Sequence, residues 1–292
     1  MQEPAKKDMM DQMKFNRLLR AVAVCLGVFL SVSAAAQTSI SPEASRAVDD
    51  FMTFRMNLAS YRRPEDALLA IERYHNEHLS EEALSGFSEQ ETLILRNFEV
   101  LERYNFMREI PSRKEETVDM LKAQYKVLTS WIAARKGEEF NKWLLTTAGD
   151  ILSCNLSYAR VSQILRDGRA VKNYYERALL QDDSMEYALT NLGQWYYYAP
   201  AVGGGSKSKA GDFFERAVEG ARTDAETYYA KIFLSQYRFE DKKRRHEAAA
   251  LLSEADSLQP GGFYVAWIRK INEQGYSLFY WNTHNIRTED DD

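Results

Sequence analysis

The stretch that decides the fold lies between residues 189 and 217 and reads LTNLGQWYYYAPAVGGGSKSKAGDFFERA. Near its end, the small residue Ala210 is followed four positions later by Phe214 and three positions after that by Ala217. Residues three and four apart share one face of an α-helix. Two further stretches have the same offsets: Val171 with Tyr175 and Ala178, and Ala248 with Leu252 and Ala255. The pattern therefore predicts three helices with the same buried stripe.

Each of these helices has an apolar partner stretch upstream. The partners are Leu189, Leu192, Gly193 and Tyr196 for the second copy, and Tyr229, Ala230 and Phe233 for the third. With Ala159 as the small residue of the first copy, the distance to Gly193 is 34 residues, and from Gly193 to Ala230 it is 37. Residues 64–78 hold a degenerate copy with Ala67, Ile71 and Tyr74. A period of this length predicts stacked helix pairs.

The composition agrees with an all-α chain. Only 6 prolines and 14 glycines occur in 292 residues, 45% of which are hydrophobic, and no stretch alternates as a strand would. Four stretches have a capping residue with an acid three positions later: Ser88 with Glu91, Ser112 with Glu115, Asp183 with Glu186, and Thr223 with Glu226. The net charge of -5 argues against a protein that coats nucleic acid.

The first 36 residues have the layout of a secretory signal peptide. Lys14, Arg17 and Arg20 precede an apolar run over residues 21–33, and three alanines follow at 34–36. The alternatives are an uncleaved membrane anchor, for which the run is short, and lipidation at Cys25, which lacks the usual small residue before it. Translation from Met13 would give a more compact signal. After cleavage the net charge is -7 and the product is soluble and periplasmic, or otherwise exported, with Cys154 as its one thiol.

The repeated pattern resembles the tetratricopeptide repeat, a helix pair whose small residues allow the two helices to approach. The resemblance implies a helical-hairpin solenoid. More narrowly, the Pro200-Ala-Val-Gly-Gly-Gly205 insertion, with Lys209-Ala210 and Phe214-Glu-Arg-Ala217 after it, looks like the periplasmic T-component family that accompanies tripartite ATP-independent periplasmic (TRAP) transporters. That match covers about residues 140–260. It implies a partner, the periplasmic substrate-binding protein, and it is compatible with an oligomer.

A groove follows from the same resemblance, because the first helices of such repeats line a concave surface that binds peptides. By helical geometry Tyr197 lies on this side with Thr190 and Gln194, and the resemblance adds Arg160, Thr227 and Lys231. Aromatic residues at a groove suit recognition of a protein or peptide partner. Packing against the 200–205 insertion would explain Tyr197 equally well.

Motifs for chemistry are weak throughout the sequence. The Gly203–Ser208 stretch departs from a phosphate-binding loop because Ser206 stands before Lys207, and His75 with His78 lacks further ligands nearby. The sequence assigns no catalytic, cofactor-binding or metal-ligating residue, and an enzyme is the least favoured reading.

The predicted organisation is a signal peptide at 1–36, an N-terminal helical region at 37–140, three tetratricopeptide-like repeats at 141–262, a capping segment at 263–287 and an acidic tail at 288–292. The predicted function is an exported scaffold that binds a protein or peptide partner, and it is not an integral membrane protein. The alternative is a general scaffold for cell-envelope assembly.

Overall fold

The prediction of an all-α chain is confirmed. The structure, a computed structural model, describes residues 38–284, and within that range every regular element is helical. The predicted signal peptide, the acidic tail and residues 285–287 of the predicted capping segment lie outside the described residues. No helix within residues 38–284 combines the length and the apolar composition that a membrane span requires.

Twelve α-helices follow one another in residues 38–284, joined by short turns. The helices are α1 (Pro42–Leu58), α2 (Pro64–Tyr74), α3 (Glu89–Met107), α4 (Lys114–Ala134), α5 (Lys142–Leu156), α6 (Val161–Gln181), α7 (Glu186–Tyr198), α8 (Lys207–Gly220), α9 (Asp224–Phe239), α10 (Arg245–Leu258), α11 (Phe263–Glu273) and α12 (Leu278–His284). A π-helical turn, His75–Leu79, extends α2.

Three helical hairpins make the most extensive contacts in the molecule: α5 with α6, α7 with α8, and α9 with α10. Neighbouring hairpins pack on each other through α6 with α7 and α8 with α9. The small and large residues of the repeated stripe are all buried, as the offsets predict: Val171, Tyr175, Ala178, Ala210, Phe214, Ala217, Ala248, Leu252 and Ala255.

Glycines bring the helices of this region close together. A Cβ atom on Gly193 of α7 would lie 2.7 Å from the ring of Phe214, which is completely buried in α8. Gly149 of α5 has the same relation to Tyr175 of α6, at 2.6 Å. Any side chain at these positions would push two helices apart, since packed interiors leave no free space.

The assignment of Ala159 as the small residue of the first copy is wrong. Helix α5 ends at Leu156, and Ala159 lies in the turn before α6. Gly149 faces Tyr175 in the position that Gly193 holds opposite Phe214. The step between the first two copies is therefore longer than the 34 residues that the sequence indicated, because α6 extends over 21 residues.

Two of the four predicted capping boxes are present. Ser88 and Thr223 each accept from the third backbone N–H of their helix, and Glu91 and Glu226 bond back to the cap residue. The other two predictions are wrong. Ser112 lies inside a 3-10 turn, Pro111–Arg113, that leads into α4, and α7 begins at Glu186 after Met185. A proline can start a helical turn without a side-chain cap.

The insertion at residues 199–206 is a tight turn that the glycines make possible. Gly204 has a φ of 99°, and a Cβ atom on Gly205 would collide with the backbone oxygen of Ala199 at 1.7 Å. The backbone N–H of Ser206 donates to the Tyr196 oxygen at 2.8 Å, and its hydroxyl caps α8. The cap that Ser206 provides and the close approach of Gly205 to Ala199 give these residues a structural role.

Candidate functional site

Five helices form a closed ring at the centre of the molecule. Contacts run from α1 to α3, from α3 to α5, from α5 to α7, from α7 to α9 and from α9 back to α1. Two hydrogen bonds support the closure, since Tyr229 Oη donates to the Arg55 oxygen at 3.0 Å and the Tyr264 N–H donates to the Ala59 oxygen at 2.9 Å. We call these five helices the inner ring. The first helices of the hairpins thus face α1.

Arg55 of α1 occupies the middle of the inner ring. Its Cζ lies 4.1 Å from the ring centre of Tyr229 and 5.2 Å from that of Tyr187. Its Nε donates to Glu102 Oε1 at 2.7 Å, and the two side chains are only 16% and 8% exposed. Desolvation works against the charge, but the nearby tyrosines and Glu102 outweigh it and raise the pKa of Arg55 above its ordinary value. This cation is therefore permanent and fully engaged by its neighbours.

Two carboxyl groups with raised pKa values lie nearby. Asp150 of α5 accepts from Tyr175 Oη at 2.6 Å and from Asn191 Nδ2 at 3.0 Å, and its desolvation raises its pKa to about 6. Desolvation also raises the pKa of Glu186 to about 8, against the hydrogen bond that Thr190 Oγ1 donates at 2.6 Å. Both groups hold protons more readily than carboxyls in water because burial disfavours their charged forms.

Cys154 lies next to this polar cluster on α5. Desolvation raises the pKa of its thiol to about 12, and the charge of Asp150 adds to the shift. A thiol with such a pKa is uncharged at neutral pH, and the thiolate is the reactive form. Burial of Cys154 therefore favours an unreactive thiol at this position.

The six residues predicted for a partner-binding groove have different local contacts, and their joint role in binding stays a prediction. Thr190 is buried against Glu186, and Gln194 bonds to Asn191, so these two adjoin the polar cluster of the inner ring. Lys231 instead pairs with Glu254 of α10 at 2.6 Å. Arg160 lies directly before α6. Thr227 lies in the first turn of α9, where its Oγ1 donates to the Thr223 oxygen.

Tyr197 packs against the C-terminal helix. Its ring stacks on Phe279 of α12, with centres 4.3 Å apart. Its hydroxyl donates to Glu240, and Lys207 Nζ approaches the same hydroxyl at 3.1 Å. Phe279 is completely buried, yet Tyr197 keeps part of its surface accessible. A role of this cluster in partner binding stays a prediction.

Sequence reasoning missed the residues at the centre of the inner ring. Arg55, Glu102, Asp150, Tyr187 and Tyr229 are distant in sequence, and the bond from Tyr229 to Arg55 spans 174 positions. One local signal exists, since Arg55 stands among the buried residues Met52, Met56 and Leu58. A charged residue inside an apolar stripe indicates a buried partner.

The two histidines considered as metal ligands have other contacts. His75 Nδ1 lies 2.8 Å from Glu99 Oε1, and the ring of His78 packs on Tyr74 at 4.6 Å. In residues 38–284 no group of three His, Cys, Asp or Glu side chains is arranged to hold a metal ion.

No protein-family model matches this chain, and no curated protein matches it at a significant level.

Proposed function

We propose that this chain is an exported scaffold of tetratricopeptide-like hairpins that binds a protein partner in the periplasm. The observation that carries the proposal is the repeated hairpin seam, in which Gly149 faces Tyr175 and Gly193 faces Phe214. Stacked helix pairs of this kind present extended surfaces and commonly serve as binding scaffolds. The resemblance to the T-component family makes the substrate-binding protein of a TRAP transporter the favoured partner.

The proposed partner surface surrounds Tyr197, at the junction of α7, α8 and α12. Three features support it: the tyrosine is partly accessible, Lys207 and Glu240 place opposite charges beside it, and Val202 at the tip of the insertion is 90% exposed. A central aromatic residue with charged groups around it is the usual composition of an interaction hot spot. The side chains of Arg55, Tyr187 and Tyr229 pack together inside the inner ring, so we place the partner at the outer edge of the hairpins.

Two observations test the transporter role. A gene for a substrate-binding protein beside permease genes in the same operon is expected, and that purified binding protein should associate with this chain in a titration. Failure of the wild-type chain to bind it would exclude the role. Mass measurement of the exported protein tests the location, because cleavage after Ala36 leaves Gln37 as the first residue.

Variants at Tyr197 test the surface. We expect Tyr197→Ala to weaken capture of the partner by tenfold or more, about the loss of one hot-spot side chain. Tyr197→Phe is the matched control, since it keeps the ring on Phe279 and removes only the hydroxyl with its bonds to Glu240 and Lys207. Undiminished binding by a folded Tyr197→Ala protein would rule out this surface.

A further inference from the structure

A second arginine near the inner ring, Arg108, differs from Arg55 in having free donors. Arg108 caps the C terminus of α3, and its side chain is 47% exposed. Its Nε donates to Glu109 Oε1 at 3.1 Å, and Glu109 is itself 62% exposed, so water weakens the pair. Within residues 38–284, no acceptor lies at hydrogen-bond distance from its two Nη groups. The four N–H donors of these two Nη groups are therefore available to an acceptor from outside the described residues.

Two tyrosines lie beside this guanidinium, and two more lie within range of its charge. The Cζ of Arg108 lies 5.9 Å from the ring centre of Tyr104, and Tyr158 packs edge-on against Tyr104 at 6.4 Å. Burial raises the pKa of Tyr198 to about 12, and it also raises that of Tyr264, while the charge of Arg108 opposes both shifts. Arg108 is thus close to α7 and α11 as well. We call Arg108 and these four tyrosines the Arg108 cup.

The Arg108 cup is accessible from outside. Tyr158 is 41% exposed and Tyr198 is 40% exposed, which is high for aromatic residues surrounded by other helices. Single exposed tyrosines need no explanation, but two of them near an arginine with free Nη groups form a patch that combines aromatic surface with positive charge. The nearby carboxylates of Glu102 and Asp150 are already bound, to Arg55 and to Tyr175 with Asn191.

The chemistry of the cup selects a class of ligand. An arginine with free Nη groups forms paired, charge-assisted hydrogen bonds to carboxylate, sulfonate or phosphate oxygens. Tyrosine rings add flat apolar contact area, and their hydroxyls can donate to an anion. We propose that the Arg108 cup binds a small organic anion, with its acidic group on the Arg108 guanidinium and its apolar body against the exposed rings of Tyr158 and Tyr198. This site is separate from the partner surface at Tyr197.

Paired fluorescent probes test the proposal. The anionic probe is 8-anilinonaphthalene-1-sulfonate, and its neutral counterpart is N-phenyl-1-naphthylamine, which lacks the sulfonate. We expect one tight site for the anionic probe on the purified protein, weakened about tenfold or more by Arg108→Gln, because a hydrogen-bonded charge is lost. Binding of the neutral probe should change less than about twofold, since the rings remain. Arg46→Gln, a change at an exposed arginine far along α1, should leave both affinities as they are.

Two results would overturn the proposal. One is equal affinity of the wild type and Arg108→Gln for the anionic probe, and the other is an equal loss for both probes, which would indicate a collapsed site. Tyr158→Ala provides a second variant, because its ring is 41% exposed, and circular dichroism would check that the variant is folded. This variant should bind both probes several-fold more weakly than the wild type. Displacement of the anionic probe by inorganic phosphate alone at micromolar concentration would show that the rings contribute nothing, which contradicts an organic ligand.

Discussion

The hairpin seams and the inner ring are two ways of packing helices in one chain. At the seams, Gly149 and Gly193 let neighbouring helices close over the buried rings of Tyr175 and Phe214, and the arrangement recurs along the chain. In the inner ring, Arg55 is held once, by residues of α3, α7 and α9 that lie far apart in sequence. Packing at the seams depends on the shapes of the side chains, whereas packing in the inner ring depends on the charge of Arg55 and its partners. Their responses to mutation should therefore differ in kind.

The largest expected effect comes from removing the charge at the centre of the inner ring. Arg55→Met keeps the length of the side chain but leaves Glu102 buried without its cation. We expect the free energy of unfolding to fall by about 3–5 kcal/mol, because removing one partner of a buried ion pair leaves the other charge uncompensated. Arg46→Met on the same helix removes an exposed pair with Glu43 and should cost less than about 0.5 kcal/mol. Urea unfolding measures both; similar losses for the two variants would contradict a central role of Arg55.

The next effect is a dependence on pH that only the inner ring should have. The pKa of Glu186 is raised to about 8, so the folded state binds its proton more tightly than the unfolded state. This contribution to stability is complete below the ordinary pKa near 4.5 and is lost as the pH rises through about 8. Asp150, with a pKa of about 6, acts in the same direction at lower pH.

Glu186→Gln should remove most of this dependence. Between pH 5 and pH 9 the wild type is expected to lose about 4 kcal/mol through Glu186, while the variant should show only the smaller loss that Asp150 causes. Glutamine retains an oxygen that accepts from Thr190. The check is urea unfolding at pH 5, 7 and 9. A variant whose stability falls with pH as steeply as that of the wild type would show that Glu186 is not the group that titrates.

In the hairpins, replacing glycine by alanine should have opposite effects on stability at two positions. Gly193→Ala forces a methyl group against Phe214 and should cost about 1–3 kcal/mol. Gly168→Ala in α6 meets nothing within 4 Å and should stabilise the chain by up to about 1 kcal/mol, because alanine favours helix. Thermal unfolding of the two variants gives the comparison directly. A loss of stability in both would mean that helix propensity and packing do not separate as proposed.

The smallest effect is expected at Lys231, which the sequence placed in a binding groove. Its partner Glu254 is 54% exposed, so the pair is largely solvated. Lys231→Met should change the free energy of unfolding by less than about 1 kcal/mol, well below Arg55→Met. If its loss approached that of Arg55→Met, charge at the outer seams would matter as much as charge in the inner ring.

Local patterns in the sequence predicted the seams well and the ring hardly at all. The offsets of Ala210, Phe214 and Ala217 led directly to a buried stripe, because they depend only on the geometry of one helix. The boxes at Ser88 and Thr223 were equally local. The assignment of Ala159 was wrong because the long helix α6 lengthens the distance between the first two copies. A search at a fixed spacing does not detect such a change.

The candidate sites show the same division. The sequence singled out Tyr197, but its stacking partner, Phe279, lies 82 positions later in the chain. Arg108 carries no motif and attracted no attention in the sequence. Its significance arises from tyrosines on α3, α7, α11 and the turn after α5, which meet only in the folded chain.

The sequence by itself determined that this protein is built of helices and which face of each hairpin helix is buried, because helical periodicity and capping act within a few residues. Only the tertiary structure decided that α1 closes the inner ring and that Arg55 meets Tyr229 across 174 positions. Contacts of that range depend on the summed angles between many helices, and no local pattern records those angles. The tertiary structure likewise pairs Glu102 with Arg55, while Arg108, within residues 38–284, pairs only with the exposed Glu109 through its Nε.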